Sequence, residues 1–287
     1  MRIGGFVIHG NNRSTIGACL DSLLAVSDEV IAIDSSSTDG SAEIVKSKGV
    51  RSLDIPWQGY GIARAAAVRE LEGCDYVFFL DSDERLAPGA VEIFQEWRRS
   101  NPTLPYYRLA LRDWADLPTG SFVLRTEWKT RIMRRDIANW QPEMIVHETL
   151  PDRECAPITA VIDHQFVTSI QTLVDKQDWY ARLWAVQAHA EGKRADPTFL
   201  KRVGHVIRNC VVKGGLARGG LASVRLAWAV SRYHARKHQY LRLVQNGGLP
   251  EMVTAYREKR FLDLYALRNT PAGGAKPAPG QEPRPTA

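Results

Sequence analysis

The chain has 287 residues, 44% of them hydrophobic and 24% charged, and carries a net charge of +6. That is enough apolar material for a real core in one large domain or two smaller ones. Its four cysteines, Cys19, Cys74, Cys155 and Cys210, are scattered without Cys-x-x-Cys spacing, which argues against a zinc knuckle or a disulfide framework and suits a reducing compartment.

In chain order, residues 3–9 read as a first buried strand, too short in apolar length to serve as a signal peptide. Asn12 is placed to cap a helix running through residue 24. Residues 29–34 form a second buried strand ending in Asp34, residues 35–40 a turn, and Ser41 is placed to cap a short helix ending at Gly49. A third strand covers 50–55, a helix 62–71 and a fourth strand 76–80. A helix with Pro88 at its N1 position runs to about residue 99. This strand–helix alternation predicts a doubly wound parallel sheet. After Pro105, short runs at 106–111, 122–125, 131–133 and 158–162 predict an antiparallel or mixed extension. Helices follow at 170–191, 198–212, 223–244 and 250–267. The Pro/Gly/Ala-rich residues 269–287 read as a disordered tail. No apolar run reaches the roughly 18 residues needed for a spanning helix.

The fourth strand runs straight into Asp81-Ser82-Asp83-Glu84. Carboxylates at the end of a parallel strand sit where an open α/β sheet receives its ligand. Asp81 and Asp83, two apart on an extended backbone, would lie on one side. Hard oxygen ligands so placed suit one Mg²⁺ or Mn²⁺, which in turn holds phosphate oxygens. A second acid-ended strand, at Asp34, suggests a nucleotide laid across the sheet edge. There is no G-x-x-x-x-G-K-[ST], and Gly10-Asn11-Asn12 replaces G-x-G-x-x-G, so phosphate would be held by a metal and by arginine.

Residues 30–40, Val-Ile-Ala-Ile-Asp-Ser-Ser-Ser-Thr-Asp-Gly, resemble the "VVDSxSTDGT" segment of glycosyltransferase family 2. The segment from Trp57 to Arg64 resembles the "WxGYGxxRN" of its lipopolysaccharide-core β-1,4-glucosyltransferase-like branch. Residues 79–84 are similar to its "LDADE". Arg131-Ile-Met-Arg-Arg, Trp140 and Val146-His147-Glu148 are similar to its "RLFRR…W…VHE". The motifs occur in order over roughly residues 3–165. The resemblance implies a GT-A fold: an α/β, Rossmann-like mixed sheet flanked by helices, here with a helical C-terminal region. It implies a catalytic domain over 1–165, a basic helical region over 166–268 and a tail over 269–287.

It also implies an inverting, metal-dependent transfer of a hexose from a UDP-sugar to a lipid-linked glycan or lipopolysaccharide-core acceptor. Asp34 would bind the base, with His9 and Asn11 lining base and ribose. Arg64 would lie by the diphosphate, and Asp81 and Ser82 would contact the nucleotide sugar. Asp83 would be the firmer metal ligand, with Asp81 and a late His164 beside it. Glu148 would be the general base, and His147 or Trp140 would touch diphosphate or acceptor. The usual "NE" after the first strand is Asn11-Asn12, and "RN" is Arg64-Ala65, which puts base or sugar recognition in doubt. Each residue also has a plainer role. Asp34 could cap its turn, Glu148 could be a surface acid, His164 a core histidine and Trp140 a packing residue. A non-catalytic nucleotide-sugar or membrane-binding module is the alternative to an enzyme. A nucleotidyltransferase is disfavoured by the poor Gly10-Asn11-Asn12-Arg13 loop.

Between Lys201 and Lys237 there are nine basic residues and no Asp or Glu. Leu216, Leu221, Val224, Leu226, Trp228 and Val230 are interleaved with Arg218, Arg225 and Arg232. This predicts a helix lying on an anionic membrane surface, and no nucleic-acid motif accompanies the charge. The expected location is cytoplasmic, peripheral on the inner face of the cytoplasmic membrane.

Overall fold

The structure is a computed structural model, and it describes residues 1–146, 150, 154–196 and 199–269. Strands β1 (Ile3–His9), β2 (Glu29–Asp34), β3 (Arg51–Asp54), β4 (Tyr76–Asp81), β5 (Glu84–Leu86), β6 (Tyr106–Leu117), β7 (Gly120–Arg134) and β8 (Cys155–Val167) form one sheet. Its order is β3-β2-β1-β4-β7-β6-β8-β5. The β3-β2-β1-β4 part is parallel, with α1 (Ile16–Val26), α2 (Ser41–Ser47) and α3 (Tyr60–Glu70) as crossovers. β7 joins β4 antiparallel, β6 pairs antiparallel with β7, and β8 runs parallel to β6. The mixed sheet expected from the sequence is the observed one.

Register follows burial. β1 and β4 are covered on both faces, so Phe6, Val7, Phe78 and Leu80 are all buried, as continuous apolar runs require. One face packs on α1 and α4 (Ala90–Arg99) through Leu20, Leu23 and Phe94. The other packs on α3 through Ala63, Ala67 and Leu71, with Phe79 and Trp140. The edge strand β3 is wholly exposed and bears Arg51 and Asp54; charged residues on an edge discourage further pairing.

Three local readings change. Helix starts shift: Asn12 does not cap α1, whose N-cap is Thr15, Ser41 is the first residue of α2, whose N-cap is Gly40, and Pro88 precedes the helix Ala90–Arg99, whose N-cap is Gly89. The Asn12 side chain instead accepts from the Gly10 N–H at 2.9 Å. The short runs at 122–125 and 131–133 are one long strand, because Thr126, Glu127 and Lys129 continue the ladder with polar side chains. The predicted 250–267 helix is two, α8 (Pro250–Arg257) and α9 (Phe261–Ala266). They are separated by Lys259 at φ 56°.

Of the C-terminal helices α5 (Ile170–Ala190), α6 (Phe199–Ile207) and α7 (Gly215–Gln245), α5 and α7 pack back onto the sheet and α6 packs on α7. Leu173 of α5 and Leu226 and Val230 of α7 share a core with Ala115, Phe122, Leu124 and Val167. Residues 208–212 continue α6 as a π-helical turn. α7 breaks at Gly220 (φ 51°, ψ −137°), beside Gly219, where a Cβ would stand 2.4 Å from the Phe122 ring. The helix bends there because glycine alone lets the backbone meet that ring. Residues 270–287, most of the predicted tail, lie outside the described residues.

Candidate active site

The parallel strands deliver their ends together. His9 stands opposite Asp34, and Ile8 opposite Asp81. Neighbouring strands lie about 4.8 Å apart, so Asp34 and Asp81, two strands apart, are on the order of 10 Å from each other.

At the Asp34 end, two loops are knitted together. Asp34 Oδ1 accepts from Ser37 N (3.0 Å) and Ser37 Oγ (2.6 Å). Asn11, in the left-handed region at φ 57°, accepts from Thr38 N at 2.8 Å and donates its own N–H to Ser37 Oγ. Arg13 N donates to Asp39, which also accepts from the Ser41 N–H. His9 is 2% exposed and lies 3.6 Å from Asp34. Burial lowers its pKa despite that carboxylate. Its Nε2 is buried without a hydrogen-bond partner among the described residues. The turn therefore occupies one Asp34 oxygen and leaves the other with no such bond among the described residues.

Asp81 closes β4, Ser82 and Asp83 form a turn, and Glu84 opens β5. The expectation of one extended segment with both carboxylates on one side is thus corrected. The chain reverses because β5 must pair antiparallel with β8, Glu84 opposite His164. The acids have different fates. Asp81 accepts from Arg64 at 3.3 Å and Arg131 at 3.1 Å. Both guanidinium groups lie over Phe79, at 4.4 and 4.8 Å from its centroid. Burial works to raise the Asp81 carboxyl, and Arg131 and Arg64 overcome it, holding it at about 2. Glu84 is 2% exposed, pairs with Arg131 and accepts from the Asp81 N–H. Burial pushes it up to about 7, with Arg131 offsetting only part of that cost.

Asp83 turns the other way, toward β8. His164 Nε2 is 3.6 Å from Asp83 Oδ2, and His164 Nδ1 is 2.7 Å from Asp113 Oδ1. Asp113, on β6 and 3% exposed, accepts from Arg125 Nε at 2.5 Å. Burial disfavours charge on His164, but Asp113 and Asp83 together raise its pKa well above the ordinary value. A carboxylate on one ring nitrogen fixes the tautomer and aims the other nitrogen. Without an ion the ring therefore holds its proton; a divalent cation that displaced it would meet Asp83 and His164 as a pair of donors, with Asp113 orienting the histidine. Among the described residues no three His, Cys, Asp or Glu side chains form a complete metal cluster. The remaining ligands would come from water and substrate oxygens, as Mg²⁺ usually requires.

Of the other expected residues, Trp140 is 3% exposed, edge-on to Phe6 and Phe79. Its ring is enclosed by these neighbours and by Arg64, so it packs the site from below. Gly61 brings the 141–144 backbone against α3: a Cβ there would be 2.1 Å from the Gln141 carbonyl oxygen. His147 and Glu148 lie outside the described residues. Sequence reasoning assigned no role to Arg131, Asp113, Arg125 or the buried pairing of Glu84. Alternation along β6 and β7 would place charged residues at inward positions. Such inward charges were the available signal.

Residues 6–143 match the family model described as "Glycosyl transferase family 2". The chain is 28% identical over 214 residues to the lipopolysaccharide core biosynthesis glycosyltransferase LpsC of Rhizobium meliloti (strain 1021), covering 70% of this chain and 76% of that protein. It is 24% identical over 206 residues to the uncharacterized glycosyltransferase RP128 of Rickettsia prowazekii (strain Madrid E), covering 67% and 70%. Among solved structures, it is similar to residues 1–349 of S. aureus TarS at 16% identity and a TM-score of 0.45, covering 94% of this chain and 91% of that one.

Proposed function

We propose that this chain, whose residues 6–143 match the glycosyl transferase family 2 model, transfers a hexose from a UDP-sugar to a lipid-linked glycan of the lipopolysaccharide-core kind, with inversion and with a divalent metal. The observation that carries the reading is the divergence of the two acids at the end of β4. Asp81 is fixed between two arginines, and Asp83 is left facing a histidine oriented by Asp113. One strand end thus presents a cationic pair and a metal-suited donor pair side by side. The similarity to a lipopolysaccharide core biosynthesis glycosyltransferase supports the acceptor class.

In this reading the second Asp34 oxygen meets the base, His9 backs it from within the sheet, and Asn11 holds the loop that frames it. Ser82, in the turn, meets the diphosphate. Arg64 and Arg131 keep Asp81 ionised and give the diphosphate a positive wall. Mg²⁺ or Mn²⁺, when bound by Asp83 and His164, supplies the charge that makes UDP a competent leaving group. Glu148 takes the proton of the acceptor hydroxyl as that oxygen attacks C1 from the face opposite the departing diphosphate, and the C1–O bond to UDP breaks with inversion. His147 lies next to it in sequence as a diphosphate or acceptor contact.

Asp83→Ala and Glu148→Gln are each expected to lower transfer by about 10²-fold or more, with far-UV circular dichroism unchanged. A screen of nucleotide sugars by thermal shift with Mn²⁺ identifies the donor. Wild-type turnover in both variants overturns the proposal. Donor binding without turnover in any acceptor mixture would favour a non-catalytic nucleotide-sugar module.

A further inference from the structure

Large apolar side chains are exposed singly over most of the surface, as is normal. They gather in one place. Leu200 (81% exposed), Ile207 (52%), Val211 (65%), Val212 (74%), Leu216 (45%) and Leu221 (76%) all belong to α6, the π-turn and the first turns of α7. At 100° per residue, positions 200, 207 and 211 fall within about 40° of one another. Gly204 lies on the same stripe, exposed and with no atom near its missing side chain. Three residues of the interleaved set expected to face lipid are thus replaced. Leu226 (0%) and Val230 (6%) face the protein core, and Val224 is only partly exposed. The exposed apolar stripe lies one element earlier.

Charge decides what covers it. Nine basic residues and no acid occur between Lys201 and Lys237. Three of them find carboxylates on other segments: Lys201 with Asp196, Arg208 with Glu127 and Arg236 with Asp178. Arg225 and Arg232 are exposed and make no ion pair among the described residues. A second copy would bring positive charge against positive charge, whereas anionic headgroups complement it.

We propose that the segment from Leu200 to Leu221 is an interfacial docking surface that lays its apolar stripe into the headgroup region of an anionic bilayer, with Arg225 and Arg232 of α7 supplying the charge that meets phosphate. The segment is fastened to the transferase sheet. Lys213 Nζ donates to the Thr126 carbonyl (3.1 Å) and Arg218 Nε to the Val123 carbonyl (2.7 Å). Both carbonyls are on β7, the strand whose Arg125 holds Asp113. The docking surface and the proposed metal corner therefore share a strand, which suits an acceptor carried on lipid. That link rests on the transferase reading; the surface itself does not.

The test is flotation of the full chain with phosphatidylcholine vesicles and with vesicles containing phosphatidylglycerol, using wild type and the double variant Leu200→Glu/Ile207→Glu. Both sites are exposed, so the variant should keep its circular dichroism and its nucleotide-sugar thermal shift. Wild type should prefer the anionic vesicles by about tenfold or more, weaken with salt, and lose most binding in the variant. Equal flotation of variant and wild type, or no wild-type binding to anionic vesicles, overturns the proposal. So does a wild-type dimer in size-exclusion chromatography that the variant dissolves, because a second copy would then own the face. Loss of the nucleotide-sugar shift in wild type counts against the transferase reading and leaves the vesicle result standing.

Discussion

Asp113 illustrates how much a single side chain at this site depends on partners far away in sequence. It reaches His164 and Arg125 across 51 and 12 residues, and nothing in its neighbours on β6 marks it. Its carboxylate holds the His164 ring so that Nε2 faces Asp83. Replacing it with asparagine keeps the shape and removes the charge. Asp113→Asn is therefore expected to weaken Mn²⁺ binding about 10–100-fold, measured by electron paramagnetic resonance of free Mn²⁺ in the presence of UDP. His164→Ala provides the scale for complete loss of that ligand. Affinity unchanged in Asp113→Asn would reduce Asp113 to a partner of Arg125 alone. By contrast, Asp34, Asp81 and Asp83 were legible in the sequence because each ends or follows a buried strand. Glu84 was not. Its place in a three-residue edge strand depends on β8, roughly 80 residues later.

Among the elements, α6 carries a half-buried ionisable group of interest. His205 packs on His234 of α7 with ring centroids 4.4 Å apart, and its Nε2 has no hydrogen-bond partner among the described residues. Burial, helped by Arg125 and Arg208, lowers its pKa to about 4. Above the unfolded value of about 6.5 neither state is protonated, so the histidine costs nothing. As pH falls from there toward 4, the unfolded chain takes a proton that the folded chain refuses, and stability drops. Allowing for partial solvent screening, the loss is about 1 kcal/mol. Urea melts at pH 7 and pH 4.5 should show a smaller loss for His205→Gln than for wild type, and an identical loss would refute the assignment. The helices themselves were legible from periodicity. Their breaks at Gly220 and Lys259 were not, since each answers a contact or turn at that point: Phe122 against Gly219, and the backbone bond from Arg260 N to the Ala255 carbonyl.

For the molecule as a whole, the sheet and the C-terminal helices share buried surface. Leu124 and Val167 pack with Leu226 and Val230, and Ile145 and Val146 with Trp179 and Leu241. Cores that interleave in this way should unfold together. Calorimetry is expected to give one transition with matching calorimetric and van't Hoff enthalpies. A donor with Mn²⁺ at about 100 times its Kd should move the whole transition by about 2.7 kcal/mol of stability. Two separable transitions would mean that the helices from residue 170 onward fold apart from the sheet.

The sequence by itself determined the order of strands and helices through residue 99 apart from the short β5, the placement of Asp34 and Asp81 at strand ends, and the family resemblance. Those depend on local periodicity and on short contiguous motifs, both of which survive in one dimension. The tertiary structure alone decided that Asp81 and Asp83 part company, that Arg131 and Asp113 complete the site, and that the exposed apolar stripe is α6 rather than the middle of α7. Each of these turns on which face of an element meets a partner distant in the chain, and the pattern within a single segment does not encode that.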